Sequence, residues 1–515
     1  MANFMKKRIT KTTTGIAVAA GKLCLFFITF AVLSACGGGG GDPSPGEPGG
    51  NNETPKGNEE SVQLNAGSQG DVTVLHQHVH AKGTILAVWE TYNGQTGSQL
   101  YAVVGDIVTR DWQAPHFLGS GAHNVAIAAS DSGFAVAWYA YDTSRAGWRV
   151  SAALYQNDSW HDAVMLQSES IPGNISSFRG PYLASDGNGY AVVWKYDYNG
   201  ADAGAVLANT YDGSNWSGAT PIHAIDGATL YDISLVANDS GYVAAWVQRQ
   251  HELLHSVYAN FFSGVWLGAE AISGNFNSLR PQVASNGRDF AVVWTDNTRG
   301  DLDRLQVRRF NASEGWGTTA QLDDNVLNST THRIVSNGSG YMVTWVQKAV
   351  LGSTPSLHAS FYNSETWQND PLIVAYPYPE PSSYEIDSNG TGYAIVWSRN
   401  KRGYSDSFEL LERIHDGETW TSQFATPISV MVNAELPSMA SNGIGYGAAR
   451  VENDSFTDRI YLSLFDGATW TPFPVSKEGT SDVGNVVLSA GQDRYSVLWT
   501  QAGDEGELDL WWRLY

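Results

Sequence analysis

The sequence predicts an all-β fold, a single closed β-propeller of about nine four-stranded blades, with eight blades and one degenerate unit as the alternative count. Three observations predict it. A short run ending in tryptophan recurs nine times: Ile85–Trp89 (ILAVW), Phe134–Trp138, Tyr190–Trp194, Tyr242–Trp246, Phe290–Trp294, Tyr341–Trp345, Tyr393–Trp397, Tyr446–Arg450 (YGAAR) and Tyr495–Trp499. Successive copies lie 48 to 56 residues apart, the span that four short strands and Gly-rich turns need for one blade. Asn-Gly and Asp-Gly dipeptides recur at two fixed places of the repeat, in five units at the first hairpin and in three at the second, and no helix-length amphipathic pattern follows residue 36.

Residues 1–35 read as an address. Lys6, Lys7, Arg8, Lys11 and Lys22 precede the apolar run Leu23–Leu33, which is too short for a stable membrane-spanning helix. The following Leu33-Ser34-Ala35-Cys36 resembles the lipobox of bacterial lipoproteins. The resemblance implies cleavage before Cys36, lipid (palmitate) attachment at its thiol and, with Gly37 next rather than Asp, an outer-membrane destination. Residues 36–60 are rich in Gly, Pro, Asn and Glu with almost nothing apolar. Such a segment is expected to remain a tether between the lipidated cysteine and a propeller over residues 61–515. Cys24 and Cys36 are the only cysteines, so the expected mature body has no disulfide and no thiolate chemistry.

The formal charge is −22, and losing the five basic residues of the leader would leave 25 basic against 52 acidic residues, or −27. That balance excludes nucleic acid and an anionic lipid surface as partners, because both need a basic footprint. Membrane association is expected through the anchor alone, and a monomer is expected.

Residues 281–322 show the unit most clearly. Pro281–Ser285 and Phe290–Trp294 read as strands joined by Asn286–Asp289; Leu305–Phe310 and a short run after Trp316 complete the sheet. The glycine dipeptides suit the positive backbone angles of tight two-residue turns. Ser463–Trp470 (SLFDGATW) superficially resembles the Asp-box of sialidases, but Asp466 and Gly467 are adjacent, so the spacing departs from that box. Sixteen of the 19 tryptophans occupy two fixed repeat positions, which marks them as packing residues. The last unit lacks a fourth strand, and Ser61–Asn65 (SVQLN) is expected to supply it and close the ring.

Function in such a ring is expected at the channel mouth, where loops and the start of each innermost strand converge. Nine to eleven residues before the repeated aromatic, polar side chains stand where the repeat does not require them: His76, His123 with Asn124, Arg179, Tyr231 with Asp232, Arg280, His332, Tyr384 and Glu435. The ligand-binding candidates are His123, Arg179, Tyr231, Asp232, Arg280, His332, Tyr384 and Glu435. Other units place Pro181, Pro281, Pro437, Val125 or Val486 at these positions. His, Tyr and Arg together would serve a polysaccharide lyase, as base, acid and carboxylate-neutralising cation. Marine ulvan lyases resemble that general scheme, but no stretch here is specific enough to carry over a catalytic residue from that family; by position alone the catalytic candidates are His123, Arg179, Tyr231, Arg280 and His332. His76, His78 and His80 alternate along one strand, about 6.8 Å apart on one face, and are the weak metal candidates. No cofactor is expected, with a metal ion left open. GxSxG, P-loop, CxxCH and EF-hand signatures are absent, and the Arg-Gly-Asp at 299–301 is read as chance.

The units GFAVAW…ALYQNDSW and GYAIVW…RIHDGETW resemble blade repeats of bacterial envelope and secreted proteins. Two readings of function follow. One is a lipid-anchored propeller that binds a protein or glycan at the channel mouth without covalent chemistry, with an envelope scaffold as its variant. The other is a carbohydrate-active enzyme, most plausibly a lyase.

Overall fold

The computed structural model describes residues 61–65, 71–79, 83–93, 97–144, 146–167, 180–197, 204–225, 229–250, 254–274, 277–297, 303–323, 329–348, 355–363, 365–368, 372–375, 383–400, 408–422, 425–429, 433–434, 437–453, 457–476, 483–491, 494–503 and 507–515. The proposed leader, Cys36, the tether, Arg179, His80, Arg299 to Asp301 and Glu435 lie outside these residues. Among them every element is a strand, and no helix is long and apolar enough to cross a membrane.

The strands form nine antiparallel sheets, each built on a four-strand path, so all nine repeats are blades and none is degenerate. The innermost strands are Asp71–Val79, Ala122–Ser130, Tyr182–Ser185, Thr229–Asn238, Asn277–Ser285, Ser329–Ser336, Ser383–Ser388, Ser438–Ser441 and Val483–Gly491. Each packs against the next, and the ninth packs against the first, which closes the ring. The chain start completes the ninth blade as expected. Val62–Gln63 pairs with the final strand Leu508–Leu514, Leu64 N–H donates to Leu510 O at 2.9 Å, and Leu510 N–H donates to Asn65 Oδ1 at 3.0 Å. The outer edge of that sheet is then the two-residue strand Val62–Gln63 rather than the longer Leu508–Leu514, and a short edge is a poor template for pairing with another chain.

Blade-to-blade packing explains the repeated phrase. Trp89, Trp138, Trp194, Trp246, Trp294, Trp345, Trp397 and Trp499 are all buried, with side chains packed between neighbouring sheets. Burying a ring of that size stabilises by about 5 kcal/mol before side-chain entropy is subtracted. In the fifth and sixth blades the indole N–H is met two residues on, Trp294 donating to Asp296 Oδ1 at 2.7 Å and Trp345 to Gln347 Oε1 at 2.7 Å, whereas the indole N–H groups of Trp89, Trp138, Trp194 and Trp246 are buried without a partner. The second set of tryptophans sits half-buried against the aromatic or imidazole ring near the end of the third strand, except Trp112, which lies over Gly105. Phe310–Trp316, Tyr362–Trp367 and His415–Trp420 have ring centroids 5.0, 5.2 and 5.2 Å apart.

The first hairpin is the expected two-residue turn in the second and fourth blades, Asp131-Ser132 and Asp239-Ser240, but differs where Asn-Gly or Asp-Gly stands. Ser185 pairs with Tyr190 across four residues, and only Gly187 has a positive φ, 91°. The residue before that glycine works through its side chain instead. Asp186 Oδ1 accepts Asn188 N–H at 3.0 Å and Gly189 N–H at 2.7 Å, and Asn337 and Asn389 repeat the pattern. Their amides reach outward as well. Asn337 Nδ2 donates to Thr391 O at 2.9 Å and Asn389 Nδ2 to Ile444 O at 3.0 Å, each tying its turn to that of the next blade.

Candidate functional site at the channel mouth

The innermost strand of most blades carries a register irregularity near its start, as between His123 and Ala126, Tyr231 and Ile233, Leu279 and Gln282, and Gly484 and Val487. In these four irregularities one residue takes a left-handed backbone, Asn124 (φ 53°), Asp232 (φ 36°), Arg280 (φ 57°) and Asn485 (φ 41°), and Gly180 (φ 87°) does so just before the third blade's innermost strand. These five occupy one column, the residue before the one opposite the repeated tryptophan. A bulge of this kind twists the strand and re-aims the side chains around it. Asn, Asp and Gly tolerate that backbone; an arginine there is uncommon.

This geometry divides the candidate residues into three roles. The position opposite the repeated tryptophan (Arg450 in the eighth blade) is filled by buried Leu75, Val125, Pro181, Ile233, Pro281 and Pro437 and by half-buried Val486 in seven blades. His332 pairs with Trp345 and Tyr384 with Trp397, so both belong to this column. His332 is 3% exposed; its Nε2–H donates to Arg280 O at 2.7 Å, and burial pulls its pKa down to about 4. Tyr384 is 2% exposed, with its hydroxyl 3.1 Å from the carbonyls of Thr331 and Thr344; burial raises its pKa. Each ring fastens its blade to the bulge carbonyl of the blade before it. The structure places these two candidates inside the blade interface, away from the mouth.

Asn124, Asp232 and Arg280 hold the bulge itself. Asn124 and Asp232 are half-buried and Arg280 is exposed. The position before the bulge faces the rim. There Tyr231 is 38% exposed, His255 meets its ring edge-on at 5.4 Å, and Lys195 Nζ lies 5.9 Å from its centroid. His255 Nδ1 also contacts Asn277 Oδ1 in the next blade. His123 is half-buried against Trp148, whose ring meets it at 5.2 Å and exposed Tyr141 at 5.1 Å; burial lowers the His123 pKa. His123, Tyr231 and Arg280 therefore open on one rim, on strands of the second, fourth and fifth blades, with the third blade's strand Tyr182–Ser185 between the first two.

His76 falls in a different column from the one its spacing implied. Leu75, not His76, pairs with Trp89, because the first hairpin is one residue longer than the others. Burial lowers the His76 pKa to about 4, and its Nε2 is enclosed without a hydrogen-bond partner. Of the His76, His78 and His80 set only His76 has a described side chain, and among the described residues no three His, Cys, Asp or Glu groups converge for a metal ion. Sequence reasoning missed Lys195, His255, Tyr141 and Trp148. All four lie on second and third strands, outside the segment before each repeated aromatic.

No family model matches this chain, and no curated protein matches it. Among solved structures it is similar to the β-propeller domain of the trilobed protease from Pyrococcus furiosus, at 9% identity, covering 76% of this chain and 94% of that one with a TM-score of 0.40. An acylaminoacyl peptidase from Pyrococcus horikoshii is similar at 10% identity, covering 87% of this chain and 60% of that one, TM-score 0.40. The GH74 xyloglucanase from Xanthomonas campestris is similar at 13% identity, covering 88% and 81%, TM-score 0.33. The likeness is to the fold alone.

Proposed function

We propose that this chain is a lipid-anchored, extracytoplasmic binding propeller that holds an anionic glycan on the channel-mouth rim of its second to fifth blades, without covalent chemistry. Cys36 is the anchor in this reading and the outer membrane the site. The observation that carries it is the bulged column. Five blades adopt a left-handed residue at the same place, and Arg280 keeps an exposed cation there. Tyr231 and the His123–Trp148–Tyr141 set add aromatic faces, and Lys195 and His255 add cationic or titratable partners. On a chain with 52 acidic and 30 basic residues, a local set of this kind selects for negative charge on the ligand. Aromatic faces suit the C–H faces of sugar rings. Binding of this type needs no cofactor.

A lyase using all five catalytic candidates is disfavoured by His332, which is sealed in a blade interface and spends Nε2 on a backbone carbonyl. The test is affinity electrophoresis of the purified protein through a panel of acidic polysaccharides. Retardation should weaken stepwise in Arg280→Ala, Tyr231→Ala and His123→Ala, by about three- to thirtyfold each. Absence of retardation across the panel would refute the reading. Release of ultraviolet-absorbing unsaturated uronate ends would replace it with the lyase.

A further inference from the structure

The outer edge of the second blade sets an exposed methionine against a buried arginine. The fourth strand there, Val164–Met165, is two residues long, and Met165 stands opposite Ser151 of the third strand, Gly147–Gln156. The Met165 side chain is 60% exposed. The other methionines among the described residues, Met342 and Met439, are buried in interfaces between blades. Susceptibility of a thioether to oxidants follows its exposure, so Met165 stands first of the three.

Arg149 lies two residues before Ser151, on the same face of the third strand, within diagonal reach of Met165. It is 4% exposed. Its Nε donates to Asp142 Oδ2 at 2.9 Å, which fixes the plane of the guanidinium, and its Nη1 donates to Met165 Sδ at 2.8 Å. A buried guanidinium needs acceptors for its N–H groups, and a thioether sulfur is a weak one. A sulfoxide oxygen carries much of the S–O dipole's negative charge, and a charged donor bonds such an oxygen far more strongly.

We propose that Met165 is a site of oxidation by hydroperoxides and that Arg149 receives the sulfoxide. A sulfur lone pair attacks one oxygen of hydrogen peroxide and the O–O bond breaks. The departing hydroxide takes the proton from the oxygen now on sulfur and leaves as water. Sulfur is oxidised by two electrons and the peroxide is reduced. Met has three rotatable side-chain bonds, so an S–O group formed on the solvent side can turn to the guanidinium. The charge-assisted bond gained there offsets the lost apolar character of a side chain already mostly in water. Oxidation of Met165 thus spares the blade packing, whereas the same change at Met342 or Met439 would put a dipole into an apolar interface. This chemistry does not depend on the rim reading above.

The experiment is graded hydrogen peroxide treatment of the full chain, read by peptide mass mapping and thermal melting. Met165 should gain one oxygen about tenfold faster than Met342 or Met439 in the folded protein, and the three rates should converge in urea. Protein oxidised at Met165 alone should melt at or above the untreated protein. In Arg149→Lys, whose single ammonium cannot serve both Asp142 and residue 165, the same oxidation should lower the melting temperature. Where that variant does not fold, Met165→Gln and Met165→Leu in the parent carry the test. The amide oxygen stands in for the sulfoxide, so Met165→Gln should melt above Met165→Leu. Equal oxidation rates at the three methionines in the folded protein, a melting temperature lowered by oxidation of the parent at Met165, the same response in parent and Arg149→Lys, or Met165→Leu as stable as Met165→Gln would each overturn the proposal.

Discussion

The eighth blade offers the sharpest test of the physical account, because it solves the repeat's packing problem with charge. Where the other eight units place tryptophan, this one places Arg450, and Glu452 stands where Asp296, Gln347 or Gln501 accepts the indole N–H elsewhere. Both side chains are 0% exposed, with Nε and Oε1 2.6 Å apart. The remaining guanidinium donors are also engaged: Nη1 with Ser463 Oγ at 2.9 Å, and Nη2 with Ile428 O at 2.7 Å in the seventh blade. The matching carbonyls of the second and third blades, Leu166 O and Ile222 O, receive the amides of Asn209 and Asn260 from the third and fourth blades at 3.0 Å. Ser463 holds that asparagine position here, and Arg450 takes over its main role. One arginine thus fills a tryptophan's volume and an asparagine's bond.

Glu452→Ala would leave a guanidinium buried without its counter-charge, a change that costs about 3–5 kcal/mol. The double change Arg450→Trp, Glu452→Gln restores the arrangement seen around Trp345 and should return to within about 1 kcal/mol of the parent, since apolar replacement of a buried pair is commonly neutral or better. Urea unfolding followed by near-ultraviolet circular dichroism reads both, and a double-mutant cycle isolates the coupling. The cost should barely change between low and high salt, because a buried pair is poorly screened. If Glu452→Ala loses less than about 1 kcal/mol, or if added salt removes the loss, the pair is not the buried contact described and the reasoning fails.

Asp387 titration and ring closure give two more tests. Asp387 stands on the innermost strand of the seventh blade with Oδ2 buried and unpartnered, and burial pushes its pKa up to about 7. The folded form then keeps a proton that the unfolded form releases near pH 4, so stability should fall as pH rises from about 4 through 7. Asp387→Asn should flatten that slope and gain up to about 4 kcal/mol at pH 8 over the parent, with much less gain at pH 5; a parallel pH–melting curve for the two proteins would contradict it. Removing residues through Asn65 should expose the edge of Leu508–Leu514 and cause self-association, read by light scattering after gel filtration. A truncated chain with the parent's mass and melting temperature would show that closure does not depend on this strand.

How much was legible in the sequence depended on which period carried the information. The blade count, the ring and its closing strand follow from a phrase that repeats because eight of the nine blades bury the same tryptophan and the other one buries Arg450 in its place. The site was legible only in part, because counting residues back from an aromatic fixes a position along the strand but not its column. His76 shows the failure: one extra hairpin residue moved it off the column that His332 occupies. His332 and Tyr384 show a subtler one. Their column holds proline, valine, leucine or isoleucine in the other blades, and that company marks a buried position more firmly than a polar side chain marks an exposed one. The neighbouring column holds Asn124, Gly180, Asp232, Arg280 and Asn485, residue types that, arginine apart, already favour a left-handed backbone. Aligning columns across blades separates the buried pair from the rim by residue type alone. Following one blade cannot, because hydrogen bonds such as His332 to Arg280 O run between blades and are 52 residues apart in the chain. Arg450 obeys the same rule. It is unremarkable beside its sequence neighbours and conspicuous only against the same position in the other blades, where a repeat protein displays the departures that call for a physical reason.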